Sequence, residues 1–227
     1  MSDVQGYIFD KDGTLTDIQS RWGPVFVGMV HHLAAGDDDL AGRLADAFGV
    51  DLAAGGVIPN GLAAVGNGHE LGVRAAEVLL GDGAPVDGLE DRLRAAFRST
   101  PNGPLVPLGE VAATMESLAA RGVRLGLATA DSRDNALREL ADLGIAHLID
   151  EVRCGNDGGP VKPDPEVLWS ICRAWRLDVA EVAFVGDSVQ DLRCAEAAGM
   201  RFVAVGEIGA ERDSAPDQVV ADISALV

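Results

Sequence analysis

The chain has 227 residues, 48% of them hydrophobic and 24% charged, which is enough to bury a real core and to form one domain or two. Its net charge of −18 and pI near 4.4 exclude nucleic acid and anionic membrane surfaces as expected partners. No basic n-region precedes an apolar stretch and no apolar run reaches about 18 residues, so a cytoplasmic protein without a membrane span is expected. Cys154, Cys172 and Cys194 are odd in number and lack C-x-x-C spacing, which predicts neither a disulfide framework nor a zinc site.

The first element is a short apolar run, residues 4–9, that breaks into Asp10-Lys11-Asp12-Gly13. It reads as a buried strand ending in a sharp turn. On strand alternation Asp10 and Asp12 share a face and Lys11 points away from them. Two converging carboxylates repel unless a cation or a proton lies between them, so a metal and phosphate site is favoured over a plain Asp-Gly turn.

About eighty residues of helical pattern follow. Trp22, Val25, Phe26, Met29, Val30 and Leu33 recur at helical spacing, as do Leu40, Leu44 and Phe48. So do Leu71, Ala75, Val78 and Leu79, and then Leu89, Leu93, Ala96 and Phe97. Glycine-rich breaks at 49–61, 66–68 and 81–88 separate them, which predicts a four-helix bundle without a strand. From Leu105 the pattern becomes alternation of helices (109–121, 133–143, 165–175, 188–198) with strands (123–128, 148–152, 181–185, 202–205). The fold class is therefore α/β, a doubly wound parallel sheet, in which ligands bind at the carboxyl ends of the strands.

Each strand end carries chemistry. The strand 123–128 runs into Thr129-Ala130-Asp131-Ser132, a hydroxyl and free N–H groups at a helix start; as a bare motif it is satisfied by Asp131 or Ser132 capping that helix. In Val161-Lys162-Pro163-Asp164-Pro165, Asp164 as N-cap and Pro165 at the first helical position account for the helix but not for Lys162. The chain has only two lysines, Lys11 and Lys162, against sixteen arginines, so Lys162 is a candidate phosphate ligand. The strand 181–185 ends in Gly186-Asp187-Ser188-x-x-Asp191, where Ser188 and Asp191 have capping-box spacing and Asp187 stands level with Asp10.

Taken in order, Asp10-Lys-Asp12-Gly-Thr-Leu-Thr, Thr129, Lys162 and Gly186-Asp187-Ser-x-x-Asp191 resemble the four motifs of the haloacid dehalogenase-like hydrolase superfamily. The resemblance assigns residues 1–16 and 101–227 to the α/β core. Residues 17–100 resemble, in architecture, the helical cap of phosphoglycolate-phosphatase-like members. It implies a phosphatase with Asp10 as nucleophile, forming an aspartyl-phosphate, and Asp12 as acid and base. Asp10, the backbone carbonyl of Asp12 and Asp187 would hold Mg2+, with Asp191 an outer or capping group. Thr129, the Ala130 N–H and Lys162 would hold the phosphoryl oxygens.

The expected substrate is a small phosphorylated metabolite of phosphoglycolate or sugar-phosphate type, turned over by a monomer or homodimer. The alternatives are a sugar phosphomutase of the same superfamily and a non-catalytic phospho-acceptor or binding protein. P-type ATPases carry Thr where this chain has Asp12, dehalogenases dispense with that aspartate, and phosphonoacetaldehyde hydrolases need a cap lysine that residues 17–100 lack. Arg21, Trp22, Asn60, His69, Glu70 and Arg74 are the cap residues available to choose a leaving group, while His31 and His32 lie within a helical pattern and read as structural.

Overall fold

The computed structural model describes residues 4–81, 88–99, 101–209 and 214–227. It separates into two compact units, Met1–Asp17 with Pro107–Val227 and, inserted between these, Ile18–Val106. The chain begins with β1 (Gly6–Phe9) and leaves for the inserted unit, which holds α1 (Ile18–Ala34), α2 (Asp38–Phe48), β2 (Val50–Asp51), β3 (Gly56–Val57), α3 (Leu62–Val65), α4 (Gly68–Gly81) and α5 (Leu89–Ser99). It returns through α6 (Val111–Ala120), β4 (Arg124–Thr129), α7 (Arg133–Asp142), β5 (Glu151–Cys154), α8 (Glu166–Trp175), β6 (Val182–Gly186), α9 (Val189–Ala198), β7 (Arg201–Val205) and β8 (Gln218–Val220). No helix among the described residues is long and apolar enough to cross a membrane.

The first unit is a six-stranded parallel sheet in the order β5-β4-β1-β6-β7-β8. Strand alternation divides its side chains between two cores. Tyr7, Phe9, Leu125, Leu127, Val185 and Val203 pack with Met115 and Leu118 of α6 and Leu140 of α7. Ile8, Phe184, Phe202 and Ala204 pack on the other face with Leu168, Ile171 and Trp175 of α8 and Leu192 of α9. Both faces are covered, as parallel sheets require. The chain moves outward from β1 to β4 and β5, then crosses to β6 on the other side of β1, so β1 borders the topological switch point. Gly6 on β1 and Gly126 on β4 make room for one side chain: a Cβ on either would lie 2.8 Å from the Trp175 indole.

The inserted unit is helical but not purely so. Its core joins Phe26, Met29 and Leu33 of α1, Leu44 and Phe48 of α2, and Leu71 and Leu79 of α4. The predicted glycine-rich break at 49–61 contains the antiparallel pair β2–β3, with Val50 and Val57 buried, and the short α3 follows it. The Gln19 amide of α1 holds this hairpin: its Nε2 donates to the Val57 carbonyl at 2.7 Å, and the Val57 N–H donates back to its Oε1 at 3.0 Å. Two-residue strands carry too little alternation to be seen in sequence, and Gly56, which permits the close approach to Gln19, reads as a breaker. The predicted break at 81–88 lies mostly outside the described residues.

Where the chain leaves and re-enters the first unit, Thr16 and Pro107 form an antiparallel bridge and the Leu108 N–H donates to the Leu15 carbonyl at 2.9 Å. The contact division thus falls at 17/18 and 106/107, against 16/17 and 100/101 in the sequence reading.

Candidate active site

The carboxyl ends of β1, β4 and β6 meet at one edge of the sheet. β1 ends at Phe9, and the chain turns at once: the N–H groups of Leu15 and Thr16 both donate to the Lys11 carbonyl, at 2.8 and 3.0 Å. Gly13 lies in this turn at φ +92°, where an added Cβ would stand 1.9 Å from Oδ2 of Asp187. Only glycine lets the backbone of the first motif approach the third strand end so closely.

Asp10 keeps the parity of Ile8 and faces the α8–α9 side. Lys162 Nζ donates to Asp10 Oδ1 at 2.6 Å and to Asp191 Oδ1 at 2.7 Å, and lies 5.7 Å from the Phe184 ring centroid. Asp191 also caps α9, its Oδ2 accepting from the Ser188 hydroxyl at 2.5 Å and the Ser188 N–H at 3.2 Å. The capping box and the ion pair coexist because the carboxylate uses a different oxygen for each. Asp187 accepts from the Thr14 hydroxyl at 3.0 Å.

Three carboxylates and one lysine leave this cluster short of positive charge. Asp10, Asp187 and Asp191 each place an oxygen within 4.8 Å of the others. Burial pushes the Asp10 carboxyl up to about 7, with Lys162 opposing and Asp191 adding to the rise. Burial, then the charges of Asp10 and Asp191, push Asp187 up to about 8. Burial also works against the Lys162 ammonium, but Asp10 and Asp191 outweigh it and hold its pKa above the ordinary lysine value. An all-oxygen donor set whose carboxyls are raised by burial and by one another's charge, beside a glycine cradle that a Cβ would fill, fits a hard divalent metal ion.

Lys11 departs from the expectation that it stays clear of the paired aspartates. It continues the parity of Tyr7 and Phe9 toward the α7 side and is completely buried, but its Nζ returns to Asp12, 2.8 Å from Oδ1 and 2.7 Å from Oδ2. The same ammonium pairs with Glu139 and lies 3.2 Å from Asp131 Oδ2. Strand alternation fails here because residue 12 is already in the turn. Asn135 joins the group, its Nδ2 donating to Asp131 Oδ2 at 2.5 Å and to Glu139 Oε1 at 2.9 Å. Burial raises the Asp131 pKa, against the pull of Lys11. Burial disfavours the Lys11 charge, but Asp12, Asp131 and Glu139 together hold its pKa above the usual lysine range.

At the end of β4, Thr129 is buried and its hydroxyl oxygen accepts from the Asp131 N–H at 3.2 Å. Ala130 follows directly. Ser132 is the N-cap residue of α7 but makes no side-chain cap bond, while Asp131 Oδ1 takes the Ser132 N–H at 2.6 Å. Helix capping is therefore a minor use of Asp131, whose other oxygen belongs to the Lys11 cluster. That cluster was missed in sequence, though it left a trace: Asp131, Asn135 and Glu139 are spaced by four, one face of a helix. The N-cap of α8 falls on Pro165, one residue later than the predicted Asp164, whose Oδ1 still accepts the Glu166 N–H at 2.9 Å because a proline has no side-chain acceptor of its own to offer.

Residues 4–199 match the family model for haloacid dehalogenase-like hydrolases. A phosphoglycolate phosphatase of Pectobacterium atrosepticum is 29% identical over 203 residues, covering 88% of this chain and 79% of that protein. One from Haemophilus influenzae is 34% identical over 90 residues, spanning only 40% of each chain. A crystal structure of a predicted phosphoglycolate phosphatase from Haemophilus somnus superposes with a TM-score of 0.73 at 20% identity, covering 100% of this chain and 97% of that one, which is likeness of fold.

Proposed function

The chain belongs to the haloacid dehalogenase-like hydrolase family, and from that premise we propose that it is a magnesium-dependent phosphatase acting on a small phosphorylated metabolite through an aspartyl-phosphate on Asp10. Phosphoglycolate or a sugar phosphate is the substrate type, on the strength of the phosphatases it is similar to. One observation carries the reading. Asp10 is at once within 4.8 Å of the oxygens of Asp187 and Asp191 and hydrogen-bonded to Lys162 at 2.6 Å, which supports reading one place as nucleophile, cation seat and phosphate-binding ammonium.

Asp10, the backbone carbonyl of Asp12 and Asp187 would hold magnesium, with Asp191 beside them. When bound, the ion supplies neutralising charge to the phosphoryl oxygens. Lys162 gives a compact positive charge to the same group, and the Thr129 hydroxyl and Ala130 N–H bind its remaining oxygens; phosphoryl transfer is governed by such positioning and charge neutralisation. A carboxylate oxygen of Asp10 attacks phosphorus as the ester P–O bond breaks, and Asp12 delivers its proton to the departing alkoxide. Asp12, now a carboxylate, takes a proton from the water that attacks the aspartyl-phosphate, which releases phosphate and restores Asp10.

Turnover of p-nitrophenyl phosphate and of a panel of phosphate esters with Mg2+ tests this. Activity is expected in the wild type and lost with chelator or in Asp10→Asn. Turnover that survives Asp10→Asn sinks the nucleophile assignment, and an isomerised sugar phosphate in place of free phosphate marks a mutase.

A further inference from the structure

Both lysines of this chain are buried at one edge of the sheet, and only Lys162 has a role in the reaction described so far. Lys11 touches both oxygens of Asp12, whose Oδ1 also takes the Thr16 hydroxyl at 3.3 Å. A carboxylate gripped at both oxygens by a buried ammonium has one orientation available to it. The ammonium is itself fixed by Glu139 and Asp131, and these are tied together by the Asn135 amide. The chain of contacts therefore starts on the buried face of α7 and ends at the carboxylate of Asp12, which is still 14% exposed.

A purely structural role explains this arrangement poorly. Burying an ion pair rarely stabilises more than apolar side chains of similar volume. The neighbours offer an apolar solution: Phe9 precedes Lys11 on the same face, and Ala136 and Leu140 flank Glu139 in the same core. The charged residues instead converge on Asp12, the most exposed carboxylate of the cluster, with 14% of its side chain reaching solvent against 8% for Asp131 and none for Glu139. We infer that Lys11 and Glu139 are positioning residues for Asp12, holding its carboxylate in the one orientation from which it hands a proton to the leaving oxygen.

This rests on the phosphatase reading, in which Asp12 protonates the alkoxide as the P–O bond breaks. Its signature is dependence on the leaving group. An alkoxide needs that proton, whereas p-nitrophenolate departs stably without it, and both esters share the later hydrolysis of the aspartyl-phosphate. Comparing kcat/KM, which reports steps through loss of the leaving group, isolates the proton delivery.

The test uses the full chain with Glu139→Gln, which keeps the side-chain shape and leaves Lys11 two carboxylates, alongside Lys11→Met. Proton transfer from a positioned acid is worth about 10²–10⁴-fold, so kcat/KM for an alkyl phosphate is expected to fall by about tenfold or more in Glu139→Gln, and by less than about threefold for p-nitrophenyl phosphate. Inhibition by inorganic phosphate, which has no leaving group, should not move. Equal losses for the two esters, or no loss, in Glu139→Gln protein with a wild-type circular dichroism spectrum overturns the inference while leaving the phosphatase reading intact. A wild type that hydrolyses neither ester overturns both. Lys11→Met is expected to widen the gap between the esters, and a narrower gap than in Glu139→Gln counts against the relay.

Discussion

Two clusters at the rim of one sheet contain the same ingredients and have opposite characters. On the α8–α9 side, Lys162 pairs with Asp10 and Asp191, while Asp187 turns to Thr14. On the α7 side, Lys11 lies against all of Asp12, Asp131 and Glu139. Each cluster has three carboxylates and one ammonium. The first keeps its lysine to one side and leaves three oxygens converging, with two carboxyls pushed up to about 7 and about 8. The second fills its own centre, and Asn135 supplies further donors. The lesson concerns placement: a central lysine completes a carboxylate cluster, and a peripheral one leaves it able to take a second cation.

Four outcomes would sharpen or break that contrast. The largest is expected from Lys11→Met, which leaves three carboxylates around an uncompensated, mostly buried centre; losing one partner of a buried ion pair costs about 3–5 kcal/mol, and magnesium should not restore it. Denaturant titration with and without Mg2+ reads this directly. Lys162→Met should be felt in catalysis, with kcat falling by about 10²–10³-fold, the range for losing one preorganised charge-stabilising group. Its Tm should gain more from Mg2+ than the wild type does, because Asp10 and Asp191 are then free for the metal. Equal rescue of both variants by magnesium would erase the distinction between the clusters.

Gly6→Ala, outside both clusters, is the control. Its Cβ would press on the rigid Trp175 indole at 2.8 Å, and overpacking of this kind costs about 1–3 kcal/mol, visible by denaturant titration and insensitive to metal. The fourth outcome is a pH dependence. The folded-state pKa values of Asp10 and Asp187 lie above the ordinary 3.8, so the folded protein retains protons that the unfolded chain has released. The stability they contribute is full below about pH 3.8 and is lost as pH climbs through about 7 to 8. The Tm of metal-free protein should fall across that window, and saturating Mg2+ should flatten the fall. A metal-free Tm that rises there would contradict the crowding of these carboxylates.

Much of this was legible in the sequence because long-period signals survive without coordinates. β1, β4, β6 and β7 are apolar runs bounded by turn residues, and the helices between them end at Gly122 and Gly199. β8 was missed: three residues, one of them the exposed Val219, carry no usable alternation. The β2–β3 pair was missed for the same reason. Asp10 and Asp187 were readable because each directly follows a strand, and Thr129 because it ends one; Lys162, in the loop between β5 and α8, was readable only by its rarity and because the helix start left it unexplained. Asp12 and Lys11 were misjudged in orientation, since alternation holds only while the chain remains extended and β1 stops at Phe9. Glu139 was invisible as a partner, because nothing in a helical pattern says which strand tip its buried face will meet.

The bridge between Thr16 and Pro107 brings the departing and returning chain side by side before the inserted segment begins. Departure and return thus share one doorway, and whatever is threaded through it imposes no new register on β1 or β4. Such an arrangement makes Ile18–Val106 an exchangeable cassette. Its length and composition can change without moving the strand ends that carry Asp10, Thr129 and Asp187.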